Sequence, residues 1–405
     1  RNNPEMVERL IKADIRIYMI PAAQEWDGKS DLDHRLLKEV DIEDLLPRDK
    51  IEIDLKAVEE LLTGKSILIT GAAGSIGSEI VRQIAQFTPQ KLILIDQAET
   101  PLHDVRLMMA RKWPDIKAET IVSDICMKER MEEIFDIYRP DYVFHAAAYK
   151  HVPMMENNPG ESVRNNVEGT RIIADLAVKY RAKKFVMVST DKAVNPTNVM
   201  GCSKRICEIY VQSLDKAVKD GKVEGITQFV TTRFGNVLGS NGSVIPLFKE
   251  QIKQGGPVTV THPDIIRFFM LIPEACKLVL EAGTMGNGGE IFVFDMGKPV
   301  KIVDLARRMI QLSGAKNVEI KFTGLRDGEK LYEEVLNEEE TTKPTFHPKI
   351  KIAQVREYDY AGVYQQVDAL VASSVKEDDM GIVRRMKEMV PEFKSKHSVY
   401  EVLDK

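Results

Sequence analysis

Short apolar runs alternate with longer amphipathic segments from Lys65 onward. The runs are SILIT, KLILID, AETIV, YVFHAA and KFVMVST, and they are separated by segments such as SEIVRQIAQF and KERMEEIFDIY. Runs of this length predict strands that are buried on both faces, whereas the longer segments have the period of an amphipathic helix. Because strand and helix alternate, the strands are expected to be parallel and joined by right-handed crossovers. The pattern therefore predicts an α/β fold built on a doubly wound parallel sheet.

The composition excludes several classes of protein. The chain of 405 residues, 43% of them hydrophobic, is long enough for two lobes. Its 57 Lys and Arg residues nearly balance its 62 Asp and Glu residues, so no face for binding nucleic acid is expected. The 4 cysteines form no CxxC pair and no ligand set with the 7 histidines, which indicates reduced thiols, a cytoplasmic location and no metal site.

A glycine-rich turn follows the first apolar run. In ITGAAGSIGSEI, Gly71, Gly74 and Gly77 lie between a predicted strand and a predicted helix, where a tight turn can bring the backbone close to a pyrophosphate. The next strand ends at Asp96, whose carboxylate can accept hydrogen bonds from a ribose and would repel a 2′-phosphate. The pattern thus predicts NAD rather than NADP. The residues expected to contact NAD at the carboxyl ends of the first four strands are Gly71, Gly74, Ser75, Ile76, Gly77, Asp96, Asp124, Ile125, Ala146, Ala147 and Ala148.

These signals divide the chain into four parts. Residues 1–63 are interpreted as the tail of an upstream domain and a linker, and residues 64–235 as an NAD-binding Rossmann domain with returning segments later in the chain. Residues 236–355, which are richer in Gly, Asn and Pro, are assigned mainly to a substrate-binding lobe. Residues 356–405 are assigned to a C-terminal helical extension.

The fifth run continues into VSTDKAVNPTNVMGCSK, which places Thr190, Asp191 and Lys192 at the carboxyl end of a strand. Further motifs follow in order around it: AAYKHVPMME, NNVEGT, RFGNVLGSNGSV, RFFM and GLRDGEKLYEE. With this ordered set, from about Lys65 to Val355, the chain resembles the extended short-chain dehydrogenases/reductases. Within them it is similar to the UDP-N-acetylglucosamine 4,6-dehydratases of polysaccharide biosynthesis, which are lyases.

The resemblance implies oxidation of carbon 4 of the sugar by NAD, loss of water across carbons 5 and 6, and return of the hydrogen to carbon 6. The 4-keto group acidifies the proton on carbon 5, so the elimination needs a base and an acid. Lys192 is the expected base and Asp191 the expected acid, and Thr190 is expected to bind the 4-oxygen. Desolvation is expected to raise the pKa of the carboxyl group and to lower that of the ammonium group.

One position departs from the wider superfamily. Its usual Tyr-xxx-Lys pair corresponds here to Met200 and Lys204, and a thioether cannot move a proton at physiological pH. The resemblance implies that methionine marks an active, large, membrane-associated subgroup. Lys204 is expected to bind the nicotinamide ribose. The acceptor of the 4-hydroxyl proton is left open among Asp191, Thr190 through a water, and Lys204.

The expected substrate is a UDP-linked N-acetylhexosamine, which needs donors for two phosphates and a slot for uracil. Guanidinium groups pair bidentately with phosphate oxygens, and a helix N-terminus can meet a phosphate or a base. The residues expected to bind the sugar nucleotide are Lys150, Arg233, Asn236, Gly242, Ser243, Val244, Arg267, Arg326 and Glu329.

Two other functions are kept as alternatives. A UDP-sugar 4-epimerase shares the fold and the cofactor but needs no elimination acid and base, and a non-catalytic NAD-binding scaffold would account for Met200. No apolar run approaches the roughly 20 residues that a membrane helix needs. The resemblance implies a homo-oligomer on the cytoplasmic face, with the intact protein anchored in the inner membrane through upstream helices that this chain lacks.

Overall fold

The computed structural model describes residues 51–334 and 341–404, together with two short antiparallel strands, Tyr18–Met19 (β1) and Lys38–Glu39 (β2). Most of the segment predicted to be an upstream tail and linker therefore lies outside the described residues. Its last part forms helix α1, Leu55–Leu62, which begins at the N-cap Asp54. The backbone N–H of Asp54 donates to Glu281 Oε2 at 2.9 Å, so this helix is attached to the folded unit that follows.

A nine-stranded sheet forms the centre of the molecule, with the order β16-β17-β13-β8-β7-β6-β3-β4-β5. Seven neighbouring strands are parallel, and β17 and β16 continue one edge in antiparallel register. The strands are β3 Ser66–Thr70, β4 Lys91–Asp96, β5 Lys117–Val122, β6 Tyr142–His145, β7 Lys184–Thr190, β8 Gln228–Phe234, β13 Glu290–Phe294, β16 Thr341–Pro344 and β17 Ile350–Gln354. The predicted doubly wound α/β fold is confirmed. β3, the first strand of this sheet along the chain, lies inside the sheet, and later strands are added on both sides of it.

Helices cover both faces of this sheet. The α-helices that follow α1 in the described residues, of which α9 and α11 belong to the smaller lobe, are α2 Ser75–Ile84, α3 Glu99–Lys112, α4 Lys128–Tyr138, α5 Val152–Glu156, α6 Pro159–Ser162, α7 Gly169–Lys179, α8 Val199–Lys219, α9 Val244–Lys253, α10 Ile272–Met285, α11 Ile302–Ser313, α12 Tyr360–Lys376 and α13 Asp379–Met389. One apolar core lies between the sheet and α4, α7, α8, α12 and α13, and a second lies between the sheet and α1, α2, α3 and α10. Inner strands such as β3 are buried along their whole length because both faces are covered, whereas the edge strand β5 is mostly exposed.

A smaller lobe has a core of its own, built from α9, α11 and short strand pairs. Its strands are β9 Asn236–Leu238, β10 Val258–Val260, β11 Ile266–Arg267, β12 Phe269–Leu271, β14 Val300–Lys301 and β15 Ile320–Phe322. β12 pairs with β9, which follows directly after β8, so the lobe is joined to the carboxyl end of the central sheet. None of the helices in the described ranges combines the length and the hydropathy that a membrane-spanning segment requires.

A buried ion pair connects the long helix α8 to the sheet. Glu208 on α8 and Arg233 on β8 are both fully buried, and Arg233 Nη2 lies 2.7 Å from Glu208 Oε2. Arg205 also donates to Glu208 Oε2, at 3.1 Å, and Ser189 Oγ donates to Oε1 at 2.7 Å. Burial raises the pKa of Glu208, but the two guanidinium groups outweigh it and the net pKa lies below the ordinary value.

The prediction of Arg233 as a ligand of the sugar nucleotide was wrong. Its guanidinium group is enclosed in the core and is held by the carboxylate of Glu208 on the neighbouring helix. A basic residue inside an apolar strand looks like a ligand-binding residue in the sequence, but here it neutralises a buried carboxylate.

Replacing Glu208 tests the importance of this pair. The substitution Glu208→Gln leaves a buried guanidinium group without its counter-charge, so we expect the free energy of unfolding to fall by about 3–5 kcal/mol in urea denaturation. Glu161→Gln is the matched control, since Glu161 forms an exposed ion pair with Arg164 at 3.0 Å. The control is expected to lose about 1 kcal/mol or less. Equal losses in the two variants would contradict the structural role assigned to Glu208.

Candidate active site

The glycine-rich turn between β3 and α2 has the shape that a dinucleotide needs. Gly71 has a φ of +66°, and a Cβ there would lie 2.6 Å from the backbone nitrogen of Ala147. A Cβ on Gly77 would lie 1.9 Å from the carbonyl oxygen of Gly71. Helix α2 begins at Ser75 after the N-cap Gly74, which provides no side-chain cap. Its first N–H groups are therefore available to a phosphate.

Asp96 lies at the carboxyl end of β4 beside this turn. Its Oδ2 accepts a hydrogen bond from Ala73 N and its Oδ1 accepts one from Ala98 N, both at 2.9 Å. Each carboxylate oxygen has a further lone pair that a ribose hydroxyl can use. The negative charge beside the phosphate-binding turn would repel an additional phosphate on that ribose, so the donor set fits NAD.

The other residues predicted to contact the cofactor lie along the same edge of the sheet. Asp124 follows β5 and accepts a hydrogen bond from Cys126 N at 2.8 Å, whereas Ile125 is buried. After β6, Ala146 N donates to Thr70 O at 3.1 Å, and Ala147 and Ala148 follow it. The carboxyl ends of four parallel strands therefore bring these residues together, as the pattern predicted.

The predicted acid and base lie at the carboxyl end of β7. Thr190 Oγ1 donates to Asp191 Oδ1 at 2.9 Å, and Lys192 Nζ donates to the same oxygen at 3.0 Å. Asp191 is fully buried, and its Oδ2 has no hydrogen-bond partner among the described residues. A Cβ on Gly235 would lie 2.8 Å from Oδ2, so glycine leaves the space beside this oxygen open. The result is a buried ion pair with one unused acceptor.

Two further groups approach the lysine from the smaller lobe. Lys192 Nζ donates to Asn236 Oδ1 at 3.1 Å, and Glu333 Oε1 lies 3.7 Å from Nζ. Arg267 Nε lies 3.7 Å from the same oxygen of Glu333. The sequence analysis did not identify Glu333. It belongs to the motif GLRDGEKLYEE, whose charged residues do not indicate which carboxylate turns inward.

The surroundings of Lys192 correct one expectation. Burial lowers the pKa of its ammonium group, but the carboxylates of Asp191 and Glu333 outweigh burial and the opposing charge of Arg267. The net pKa of Lys192 is therefore raised, not lowered as desolvation alone predicted. The lysine is charged in the resting site, and it can act as a base only after it has given up a proton.

Met200 and Lys204 lie in the first turns of α8, which begins after the N-cap Asn198. Met200 is buried, with 3% of its surface exposed, and Lys204 is 5% exposed. Within the described ranges the side chain of Lys204 makes no hydrogen bond or ion pair, so its ammonium group is available to a ligand. Asn166 holds the same helix, because its Nδ2 donates to Ser203 Oγ at 2.9 Å and to Tyr149 O at 3.0 Å.

A loop of the smaller lobe lies against the nucleotide-binding turn. Asn241 N donates to Ser75 Oγ at 3.2 Å, and Lys150 Nζ donates to Asn241 O at 2.9 Å. Burial lowers the pKa of Lys150. Gly242 follows with a φ of +69°, and Ser243, whose buried Oγ has no partner among the described residues, is the N-cap of α9, which begins at Val244. These predicted substrate residues therefore lie together beside the nucleotide-binding turn.

The remaining predicted residues lie around the motif GLRDGEKLYEE. Arg267 is buried, and its guanidinium group donates to Glu329 Oε1 at 3.3 Å and to three backbone carbonyl groups nearby. Glu329 Oε2 accepts a hydrogen bond from Arg326 N at 3.1 Å, and Arg326 itself is exposed. Arg267 thus orders this segment and contacts Glu333, and its binding to a diphosphate stays a prediction.

The chain is similar to proteins of known families. A family model described as polysaccharide biosynthesis protein matches residues 67–355. The capsular polysaccharide biosynthesis protein CapD of Staphylococcus aureus is 49% identical over 352 residues, which are 86% of this chain and 58% of CapD. EpsC of Bacillus subtilis is 47% identical over 80% of this chain and 54% of EpsC. The chain therefore spans little more than half the length of these curated relatives.

The chain is also similar to an epimerase and to solved structures. A UDP-glucose 4-epimerase of Rickettsia canadensis is 35% identical over 70% of this chain and 81% of that protein. The crystal structure of Pen from Bacillus thuringiensis matches with a TM-score of 0.67 and 33% identity, covering 72% of this chain and 89% of Pen. DesIV, a dTDP-glucose 4,6-dehydratase of Streptomyces venezuelae solved with NAD, has a TM-score of 0.58 at 21% identity, over 67% of this chain and 88% of DesIV, and shares the fold. The match of the family model over more than half of the chain shows that the chain belongs to the polysaccharide biosynthesis protein family.

Proposed function

We propose that this chain is the catalytic part of an NAD-dependent 4,6-dehydratase that acts on UDP-N-acetylglucosamine for the synthesis of a surface glycan or glycoprotein. The observation that carries the proposal is the buried pair of Asp191 and Lys192 at the carboxyl end of β7. Membership of a family of nucleotide-sugar-modifying enzymes narrows the reactions to be considered. Among them, an elimination is the reaction that needs an acid and a base side by side.

The nucleotide-binding turn and its surroundings would hold the cofactor. The N-terminus of α2 would bind its pyrophosphate and Asp96 the adenosine ribose, and Lys204 would bind the nicotinamide ribose. NAD, when bound, takes up hydrogen from carbon 4 of the sugar and returns it later in the same turnover. The buried methionine at position 200 contributes packing and no proton transfer.

The pair of Asp191 and Lys192 supplies the acid and the base for the loss of water. At rest the lysine is charged, and its ammonium group donates a hydrogen bond of 3.0 Å to Asp191. When the carboxyl group holds a proton and the ammonium group has lost one, Lys192 removes the proton on carbon 5. Asp191 then protonates the departing hydroxyl group on carbon 6. Thr190 binds the 4-oxygen beside them.

The sugar nucleotide would lie between the two lobes. Lys150 and the N-terminus of α9 at Ser243 and Val244 offer donors on one wall of the cleft. Arg326, which is exposed, and Arg267 are the proposed ligands of the diphosphate, with Glu329 at the uridine ribose. Asn236, which accepts a hydrogen bond from Lys192, and Gly242 are further proposed contacts of the sugar nucleotide.

A UDP-sugar 4-epimerase is the second candidate function. The similarity to the epimerase of Rickettsia canadensis favours it. An epimerase returns hydrogen to carbon 4 and keeps the hydroxyl group on carbon 6, so it has no use for a second proton-transfer group next to the first. The Asp191 and Lys192 pair therefore favours the dehydratase.

The whole protein would be longer than this chain. CapD and EpsC extend well beyond the matched region. As part of the proposal, the intact protein is a homo-oligomer held at the cytoplasmic face of the inner membrane by segments upstream of this chain.

Incubation of the purified chain with UDP-N-acetylglucosamine and NAD tests the proposed reaction. We expect a product lighter than the substrate by one water, with no net formation of NADH, as measured by mass spectrometry and by absorbance. The controls are the same mixture without protein and with UDP-glucose. A product of unchanged mass that is the 4-epimer would contradict the dehydratase and support the epimerase.

Removing the proposed base should stop turnover without loss of cofactor. We expect Lys192→Ala to bind NAD like the wild type in calorimetry and to lower kcat by at least about 100-fold, since it lacks the group that removes the proton on carbon 5. Lys183→Ala is the control, because Lys183 is half exposed at the opposite end of β7 and pairs with Asp141 at 3.4 Å. If Lys192→Ala kept wild-type turnover, Lys192 would not be the base.

Met200→Tyr tests whether the methionine is a defect. Because Met200 is 3% exposed, a tyrosine there overfills the space, and we expect a loss of about 1–3 kcal/mol in the free energy of unfolding with no gain in kcat. A large gain in kcat would contradict this. It would mean that the reaction is catalysed better with the tyrosine of the Tyr-xxx-Lys pair and that methionine at position 200 is a defect.

A further inference from the structure

The proposed reaction creates a proton that the Asp191 and Lys192 pair cannot hold alone. Oxidation of carbon 4 releases the proton of the 4-hydroxyl group. The pair already holds one proton at rest, on the lysine. A second proton on Asp191 would make the acid ready, but Lys192 would still be protonated and could not act as a base. The elimination therefore needs one more group that accepts a proton from Lys192.

The structure contains such a group beside the lysine. Thr190 Oγ1 is 2.9 Å from Asp191 Oδ1, that oxygen is 3.0 Å from Lys192 Nζ, and Nζ is 3.7 Å from Glu333 Oε1. A side-chain movement of about 0.8 Å would bring the last separation to the usual hydrogen-bond distance of about 2.9 Å. The four residues therefore form a continuous series of neighbouring groups from the proposed 4-oxygen site to Glu333.

Each of the two carboxyl groups in this series has one oxygen that makes no hydrogen bond to the described residues. Asp191 Oδ2 and Glu333 Oε2 are both buried without a hydrogen-bond partner among the described residues. Leaving an ionised oxygen buried and unpaired costs free energy, and protonation of the carboxyl group removes part of that cost. Arg267 Nε lies 3.7 Å from Glu333 Oε1, so this carboxyl group has a cation beside one oxygen and no hydrogen-bond partner among the described residues on the other.

We propose that Glu333 accepts and stores the proton that Lys192 must release before the elimination. Glu333 is then the additional proton-accepting group of the site, in place of the tyrosine that the superfamily uses. The inference rests on the proposed function. Glu333 does not contact the reacting carbons. It acts through Lys192, because it holds the proton that the lysine releases, and it is therefore a positioning residue.

The protons balance over one turnover. In the proposed resting state Asp191, Lys192 and Glu333 share one proton, which lies on the lysine. The 4-hydroxyl proton passes through Thr190 to Asp191, and Lys192 gives its proton to Glu333. Lys192 then takes the proton of carbon 5 while Asp191 protonates the departing hydroxyl group, which leaves as water. After hydrogen has returned to carbon 6, Lys192 protonates carbon 5 and regains a proton from Glu333, which restores the resting state.

The variant Glu333→Gln keeps the size of the side chain but cannot store a proton. In this variant Lys192 must lose its proton to the solvent, so we expect kcat to be at least about 10-fold lower at neutral pH and to rise about tenfold per pH unit. The kcat of the wild type is expected to be independent of pH between about pH 7 and 9. The kcat of Glu333→Asp is expected to be higher than that of Glu333→Gln and to depend less on pH. Glu334→Gln is the control, because Glu334 is 51% exposed and pairs with Lys330 at 3.0 Å.

The outcomes separate the inference from the function on which it rests. If the wild type forms no dehydrated product, the proposed function and the inference on Glu333 are both wrong. A wild type that dehydrates, together with a Glu333→Gln variant whose pH profile matches it, overturns the inference alone. A lower kcat with an unchanged pH profile means that Glu333 only packs, and this also overturns it.

A measurement on the wild type keeps the inference testable if Glu333→Gln does not fold. A pH indicator in weak buffer follows protons during the first turnover after rapid mixing of the NAD-loaded protein with UDP-N-acetylglucosamine. We expect no transient release of protons to the solvent, since the 4-hydroxyl proton stays on the three groups. Release of one proton per active site before product forms would overturn the inference.

Discussion

The site depends on the buried carboxylate of Glu208. A carboxylate and a guanidinium group that are both fully buried are stable only together, because either one alone would be an uncompensated charge in the core. Glu208 lies on α8, Arg233 on β8, and Ser189, which donates to Glu208 at 2.7 Å, on β7 directly before Thr190. The requirement for charge compensation thus fixes the helix that carries Met200 against β8 and against β7, the strand whose carboxyl end carries both the acid and the base.

The active-site segment is also held from the outside by parts of the chain that are far away in the sequence. Lys394 N donates to Pro196 O and Lys396 N to Thr197 O, while Gly328 N donates to Lys396 O at 2.7 Å. Thr197 Oγ1 in turn donates to Gly328 O at 2.9 Å. The C-terminal extension, the segment that carries Glu333 and the loop before α8 therefore form one hydrogen-bonded layer. This layer lets Glu333 approach Lys192 although 141 positions separate them in the sequence.

The sequence predicted the features that follow from local rules. Strand and helix periods gave the parallel sheet, and a glycine-rich turn followed by Asp96 gave the nucleotide-binding edge, because the ends of parallel strands meet there. It did not predict the partners of charged residues, since those depend on tertiary contacts. Arg233 was expected at the substrate and lies in the core with Glu208. Lys192 was expected to have a lowered pKa, but Asp191 and the unpredicted Glu333 raise it. The position of a charged residue in the sequence does not indicate which residue of opposite charge it will contact in the fold.

The central claim is that the Asp191 and Lys192 pair directs an elimination in which hydrogen moves from carbon 4 to carbon 6 of one sugar. Deuterium on carbon 4 of UDP-N-acetylglucosamine tests this directly, with the product followed by NMR. The account predicts that the deuterium appears in a new methyl group at carbon 6 of the same molecule. Deuterium that stays on carbon 4 of an epimerised sugar, with the hydroxyl group on carbon 6 intact, would contradict it.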